Sequence, residues 1–286
     1  MIERALEFPM TDLDFARVQT FVKRRSGIDL GEAKRMLVYG RLAKRLRQLG
    51  LADFRSYLDL VEEGTSDEPK RMLNAITTNV TEFFRENHHF ELLEHRVIPD
   101  LLERNARDRR IRIWSAGCST GEEPYSIALV LSKLFSANSG WDVKVLATDI
   151  DSDVLAHAEK GQYPSSKIAK LPVEAKRQGF HRGTGTQSET VRVKDDLRRF
   201  ITFRQLNLLE QWPMQGAFDL IFCRNVVIYF DAPTKAKLIG RFLTTLTPTG
   251  YLFVGHSESL VGVQTGLKTL GPTAHQKTPE VGGRAS

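Results

Sequence analysis

Arg112-Ile-Trp-Ser-Ala-Gly-Cys-Ser-Thr-Gly-Glu-Glu-Pro124, followed by an apolar helical run and then Val145-Leu-Ala-Thr-Asp149, decides the fold. It reads as strand, glycine loop, helix, strand, acid. Ile111, Ile113 and Trp114 supply the apolar strand. Gly117 and Gly121 let the backbone turn tightly beside a ligand, and Glu122-Glu123-Pro124 opens a helix with residue types favoured in a first turn. A carboxylate at the tip of the second strand, Asp149, is placed to hold two ribose hydroxyls. The pattern is half of a doubly wound nucleotide-binding fold.

The details separate two cofactor classes that share this architecture. The loop is Gly-x-x-x-Gly, not the Gly-x-Gly-x-x-Gly of dinucleotide enzymes. Two glutamates open the helix, where they would repel a pyrophosphate. S-adenosylmethionine has no phosphate and carries a sulfonium cation, so acids are tolerated there. The plainer alternative is that Glu122 and Glu123 only favour the helix dipole.

At 286 residues and 41% apolar content the chain can bury one large core or two smaller ones. No apolar run approaches the ~20 residues that span a bilayer, and Met1-Ile-Glu-Arg-Ala-Leu-Glu7 lacks a secretory apolar segment. A cytoplasmic protein without membrane insertion is expected. Two cysteines, Cys118 and Cys223, exclude a disulfide framework and read as small buried residues. The seven histidines show no metal-ligand spacing, since His88 and His89 are adjacent on a helix and should point different ways, and His256 stands alone; no metal is expected.

The net charge of +6 and pI near 9.3 admit nucleic acid, an anionic surface or an acidic protein as partner. Between Ala33 and Leu49 lie Lys34, Arg35, Arg41, Lys44, Arg45 and Arg47 and no acid, while Met36, Tyr39, Leu42, Leu46 and Leu49 recur at helical spacing. That is an amphipathic helix with a basic outer surface, which serves docking or simply solvation.

Helices are expected at 14–24, 31–49, 53–63 and 68–77, with Asp12 and Asp53 as N-caps and Gly27, Gly50 and Gly64 as stops. They form a helical domain over 1–76. A connecting stretch over 77–109 follows, with a helix expected at 87–105. From 110 to 278 strands (112–115, 143–148, 201–206, 220–223, 251–255) alternate with helices (125–135, 151–160, 233–246), which demands a mostly parallel sheet covered on both faces. The stretch 165–199 breaks the rhythm and reads as an inserted helix plus a small antiparallel β-subdomain at about 178–200. Residues 279–286 are polar and glycine-rich, hence a mobile tail.

Ligands of such sheets lie beyond the carboxyl ends of the strands where strand order reverses. Gly117 to Glu123, Asp149, Asn207-Leu208 and Arg224-Asn225 all follow strands at that rim. Asn207 is placed for an adenine edge and Leu208 for its ring, although an Asn after a strand is commonly only a turn residue.

Several long blocks resemble one family. They are Thr77-Thr-Asn-Val-Thr-Glu-Phe-Phe-Arg-Glu86, Trp114-Ser-Ala-Gly-Cys-Ser-Thr-Gly-Glu-Glu-Pro-Tyr-Ser126, Ala147-Thr-Asp-Ile-Asp151, Phe218-Asp-Leu-Ile-Phe-Cys-Arg-Asn-Val-Val-Ile-Tyr-Phe-Asp231 and Gly255-His-Ser-Glu-Ser259. Over nearly the whole chain the sequence resembles the chemotaxis receptor glutamate methyltransferases, CheR. The resemblance implies a helical N-terminal domain, an S-adenosylmethionine domain and an inserted β-subdomain. It implies cofactor contacts from Asn79, Thr81, Arg85, Glu123, Asp149, Asn207, Leu208, Arg224 and Asn225, beside Gly117 of the loop. The residues themselves leave open whether Glu122 or Glu123 faces the ligand.

The implied reaction passes a methyl group from sulfonium to a receptor glutamate, giving a methyl ester for sensory adaptation and S-adenosylhomocysteine. An exposed glutamate is already ionised at neutral pH, so no general base is required and alignment dominates. Arg85 and Tyr229 are the candidates for positioning the reacting groups, through a guanidinium fork and an aromatic ring or hydroxyl. The expected partner is the helical cytoplasmic region of a chemoreceptor docking on helix 33–49. A receptor C-terminal peptide adding to the β-subdomain is a second contact, and the protein is expected to be a monomer. Two rivals remain. A nucleic-acid methyltransferase fits the pI and fold, but the fourth strand ends Cys-Arg-Asn-Val-Val rather than in an Asp-Pro-Pro-Tyr or Pro-Cys turn. Against a non-enzymatic adenosylmethionine sensor, Arg85, Asp149 and Tyr229 are intact, which speaks against lost catalysis.

Overall fold

The structure is a computed structural model that describes residues 6–136, 138–258, 260, 266–271 and 273–279. The chain forms two compact units, Met1–Thr78 with Tyr229–Thr234, and Asn79–Ile228 with Lys235–Ser286. Of the tail expected over 279–286, all but Pro279 lies outside the described residues.

The first unit is built from α1 (Asp12–Ser26), α2 (Arg35–Leu49), α3 (Phe54–Glu63) and α4 (Glu68–Ile76). Thr11, not Asp12, caps α1: its hydroxyl accepts from Asp14 N–H at 3.1 Å while the Asp14 carboxylate accepts from Thr11 N–H at 2.9 Å. Such a reciprocal pair satisfies two amides that the helix itself leaves open. Asp53 caps α3 as expected, and Gly27, Gly50 and Gly64 end their helices with left-handed backbone. The run expected from Gly31 starts as a 3-10 turn at Glu32–Lys34 before α2 begins. Phe15, Val18, Val22, Val38, Leu42, Leu46, Phe54, Tyr57, Val61 and Met72 fill the core.

Much of the positive charge on α2 is committed to this unit. Arg41 donates to the carbonyls of Ala75, Ile76 and Thr77 and so caps the C-terminus of α4. Arg45 pairs with the buried Glu68, and Arg35 bridges Asp12 and Glu32. Lys44 and Arg47 remain exposed, beside Met36 and Leu37 at 61% and 48% exposure. The segment Tyr229–Thr234 returns to this unit, where Ile28 bridges Phe230, Asp29 N–H donates to the Tyr229 carbonyl at 2.8 Å, and Lys23 pairs with Asp231 at 2.9 Å.

The second unit opens with α5 (His88–Leu92), a π-helical turn at Leu93–Val97 and α6 (Ile98–Arg104), where one unbroken helix over 87–105 is a simpler expectation. Then come β1 (Arg110–Ala116), α7 (Glu122–Ser132), β2 (Asp142–Asp149) and α8 (Ser152–Lys160). They are followed by β3 (Gln162–Pro164), α9 (Val173–Gly179), β4 (Phe180–Arg182), β5 (Thr190–Val193), α10 (Asp195–Arg198), β6 (Ile201–Gln205) and β7 (Phe218–Cys223). The last elements are α11 (Ala232–Thr245), β8 (Leu246–Val254), β9 (Leu267–Gly271) and β10 (Ala274–Lys277). The main sheet runs β6-β2-β1-β7-β8-β10-β9. Its first five strands are parallel, and β10 pairs antiparallel with both β8 and β9.

The chain moves from β1 outward to β2 and β6, then crosses to β7 and β8 on the other side. The order therefore reverses between β1 and β7, and that is where a crevice opens in such sheets. Ile111, Ile113, Val145, Ala147, Leu220 and Phe222 place the core on the strands, packed against Tyr125, Ile127, Leu131 and the α5–α6 face. The smaller sheet, β3-β5-β4, is antiparallel and takes in Gln162–Pro164, so it begins earlier than the hairpin expected at about 178–200. Three residues ending in proline carry too little alternation to read as a strand. No helix among the described residues is long and apolar enough to cross a membrane.

Candidate active site at the carboxyl rim of the sheet

The glycine loop leaves β1 and turns back on β2. The N–H groups of Gly117 and Cys118 both donate to the Thr148 carbonyl, at 2.8 and 2.9 Å. Gly117 has φ +87°, and a Cβ there would overlap the Val226 side chain. Only glycine allows the loops after β1 and β7 to approach this closely. Ser119, next in the loop, holds φ +49°; Phe84, Glu86 and Asn225 are likewise non-glycine residues with positive φ, at +54°, +55° and +58°. Four of these costly conformations occur in the segments that meet around the rim, which marks a site whose geometry is over-determined by its surroundings.

Asp149 ends β2 as a half-buried residue. Oδ2 accepts from Ser119 N–H at 2.8 Å and Oδ1 from Asp151 N–H at 3.0 Å. Burial raises its pKa to about 6, against the pull of those backbone donors. Asp151 caps α8 by accepting from Asp153 and Val154, and its other oxygen accepts from the Asn79 amide at 2.8 Å. The Asn79 carbonyl in turn accepts from Ser119 Oγ at 3.0 Å, so Asn79 is brought to the glycine loop.

Glu122 and Glu123 both face inward, with different partners. Glu122 accepts from Lys167 Nζ at 2.8 Å and from Thr120 Oγ1 at 2.6 Å; Lys167 also donates to the Thr81 carbonyl at 3.0 Å, which ties Thr81 to the N-terminus of α7. Glu123 accepts from Ser115 Oγ at 2.7 Å and pairs with Arg224 at 3.1 Å; burial pushes its pKa up despite the arginine.

Arg224 is enclosed on every side, pairing also with Glu86 at 3.3 Å and donating to the Arg85 carbonyl. For Glu86, burial raises the pKa, but the charge of Arg224 and the His256 amide outweigh it and hold the group below its ordinary value. Arg85 itself points elsewhere: its guanidinium donates to the Val80 carbonyl at 2.8 Å. Asn207 accepts from Leu209 N–H at 3.0 Å as a turn residue, while Leu208 is buried at the end of β6. Tyr229 belongs to the helical unit, its ring 5.2 Å from Lys34 Nζ.

Two features were not anticipated. The adjacent His88 and His89 do not diverge; both ring Nε2 atoms reach Thr273 Oγ1, at 3.3 and 2.7 Å. With Glu86 their ligand atoms fall within 4.8 Å of one another, but Arg224 beside Glu86 puts a cation against any metal there. Burial lowers the His89 pKa to about 3. Glu258 is the other. Quoted in the Gly255-His-Ser-Glu motif without a role, it is 2% exposed and accepts from Asn225 N–H at 2.7 Å and Ile228 N–H at 3.2 Å.

A family model described as "CheR methyltransferase, SAM binding domain" matches residues 79–275, and one described as "CheR methyltransferase, all-alpha domain" matches 13–77. A probable chemotaxis protein methyltransferase of Rhizobium etli is 45% identical over 261 residues, 91% of this chain and 97% of its own. Chemotaxis protein methyltransferase 2 of Pseudomonas aeruginosa is 44% identical, covering 94% of both chains. The Escherichia coli chemotaxis protein methyltransferase is 41% identical, over 96% of this chain and 94% of the relative.

Proposed function

The chain belongs to the CheR methyltransferase family, and from that premise we propose that it esterifies glutamate side chains on the cytoplasmic helical region of chemoreceptors. It is a methyltransferase of chemotaxis that uses S-adenosylmethionine. When bound, the donor supplies an activated methyl group on a sulfonium centre.

The residues present fit that donor. The rim carries four carboxylates, Asp149, Glu86, Glu122 and Glu123, against two cations, Arg224 on Glu86 and Glu123 and Lys167 on Glu122, so acid is in excess. Such a site suits a cationic, phosphate-free ligand and disfavours a pyrophosphate. This match of carboxylate-rich chemistry to a cation carries the reading.

Asp149 would accept the ribose hydroxyls, its carboxylate already oriented by Ser119 and Asp151. Gly117, Asn79, Thr81, Glu123, Arg224 and Asn225 would shape the floor, and Asn207 and Leu208 the adenine side. Arg85 would orient the acceptor carboxylate through its guanidinium fork. Because a receptor glutamate is ionised at neutral pH, these residues need only align oxygen, methyl carbon and sulfur and keep water out.

For the receptor, α2 offers an exposed strip of Met36, Leu37 and Lys44, with Arg47 beside them on Glu7, that suits an acidic, amphipathic helix. In the small sheet β4 is an edge strand, and an extended receptor peptide would add there through main-chain hydrogen bonds. The deciding experiment is transfer of tritiated methyl groups to receptor-bearing membranes. Alkali-released volatile methanol is expected; methyl groups that resist alkali would refute ester chemistry.

A further inference from the structure

We propose that Glu258 is a positioning residue for methyl transfer: its buried carboxylate gathers the backbone of the loop after β7 and holds that loop against the glycine loop. The inference rests on the methyltransferase reading of the rim.

A carboxylate that is 2% exposed would ordinarily sit beside an arginine or lysine. Among the described residues Glu258 has no such partner. Its oxygens are met by amides instead: Oε2 by Asn225 and Gly255, and Oε1 by Ile228. Burial pushes its pKa up and these donors pull it back. Three backbone donors from two loops converge on one side chain, which costs desolvation that a hydrophobic plug would not. What the arrangement secures is a conformation. Asn225 stands at φ +58°, in the left-handed region that favours glycine and that asparagine enters at a smaller cost than other side chains.

The neighbours leave no slack. A Cβ on Gly255 would come 2.7 Å from Asn225 N and equally close to Glu258 Oε2. At the other face of the loop, Val226 fills the space that a side chain at Gly117 would occupy. Arg224, one residue before, is anchored through Glu123 to the start of α7. The stretch Arg224–Ile228 is thus fixed from two directions, by the side chain of Arg224 and by the amides of Asn225 and Ile228. It carries two of the residues proposed to touch the donor and abuts the loop proposed to cradle it. Displacing such a segment by ~1 Å costs on the order of 100-fold in rate.

The test uses the full chain carrying Glu258→Gln, which keeps size but replaces one accepting carboxylate oxygen with a carboxamide NH2 donor facing N–H groups that need an acceptor. Expected are a kcat lower by ~10–100-fold, weaker S-adenosylhomocysteine binding by calorimetry, faster amide exchange at Asn225 and Ile228, and a receptor KM within about threefold of wild type. In an Asn225→Gly background the loss should shrink, because glycine takes the positive φ unaided. If Glu258→Gln does not fold, Glu258→Asp, which retains the charge but withdraws it by one methylene, is judged by the same measurements. A folded variant with kcat and S-adenosylhomocysteine affinity within about twofold of wild type would overturn the proposal. So would a loss of activity no larger than the loss of folded protein. Wild-type protein that neither binds S-adenosylhomocysteine nor methylates receptors would instead sink the underlying reading.

Discussion

The guanidinium of Arg224 lies 3.1 Å from Glu123 Oε2, with the two side chains 2% and 12% exposed. The pair joins the end of β7 to the start of α7 across the point where strand order reverses. Each member is tolerable in the interior only because the other is there.

Arg224→Ala strands Glu123 and Glu86 without their cation. The expected destabilisation is about 3–5 kcal/mol, measured by urea unfolding at neutral pH. Arg224→Lys should lose most of that stability as well, since one ammonium cannot serve Glu123, Glu86 and the Arg85 carbonyl with a planar fork. A change below about 1 kcal/mol in the alanine variant would contradict the assignment.

With the ribose role proposed for it, Asp149 should couple cofactor binding to pH. With its folded pKa raised to about 6 by burial, the group's contribution to stability is fully present below its unfolded pKa of about 3.9 and is lost as pH rises through the folded value. Relative to Asp149→Asn, wild type should lose up to about 3 kcal/mol between pH 4 and 7. Binding runs the opposite way: S-adenosylhomocysteine affinity should fall as pH drops through about 6, because the protonated acid is a poorer acceptor for ribose hydroxyls. Calorimetric affinities that stay flat from pH 5 to 8 would remove Asp149 from the ribose site.

Gly117→Ala faces both an unfavourable φ of +87° and the side chain of Val226. We expect at least ~10-fold weaker cofactor binding, the equivalent of 1.4 kcal/mol. Pairing it with Val226→Ala should recover part of the loss, the steric part, and leave the backbone part. Equal affinities for the single and double variants would show that the two loops do not press on each other.

On α2 the cations divide into two kinds. Arg45→Glu sets a second carboxylate against the buried Glu68 and should destabilise the helical unit by about 3–5 kcal/mol. Lys44→Glu should leave stability within about 0.5 kcal/mol while raising the receptor KM several-fold. Thermal melts alongside transfer kinetics separate the two effects, and an unchanged KM for Lys44→Glu would rule out this strip as the docking face.

What could be read in advance follows from how local each signal is. The glycine loop, Asp149 and the caps at Asp53, Gly27, Gly50 and Gly64 announce themselves within a few residues, because φ, turn and strand-end chemistry are local. Asn207 as a turn residue was legible for the same reason. The partners of Arg224 were not: Glu86, Glu123 and the Arg85 carbonyl lie about a hundred or more positions away in sequence, and nothing in a run of residues announces them. Glu258 was hidden in a conspicuous motif, since a buried carboxylate that serves backbone amides has no complementary side chain to betray it. Arg41 and Arg45 looked like surface charge because the carbonyls and the acid they serve belong to another helix. The antiparallel pair β9 and β10 is not legible in the sequence because Leu267-Lys-Thr-Leu-Gly271 and Ala274-His-Gln-Lys277 do not alternate apolar and polar residues.

The hexapeptide Tyr229–Thr234 interrupts the larger unit in order to complete the smaller one. No single scissile position therefore separates the two. A truncation after Thr78 would strip the helical portion of the piece that bridges Ile28 and pairs with Lys23, and chimaeras between relatives will need two crossovers, not one, to inherit an intact helical module.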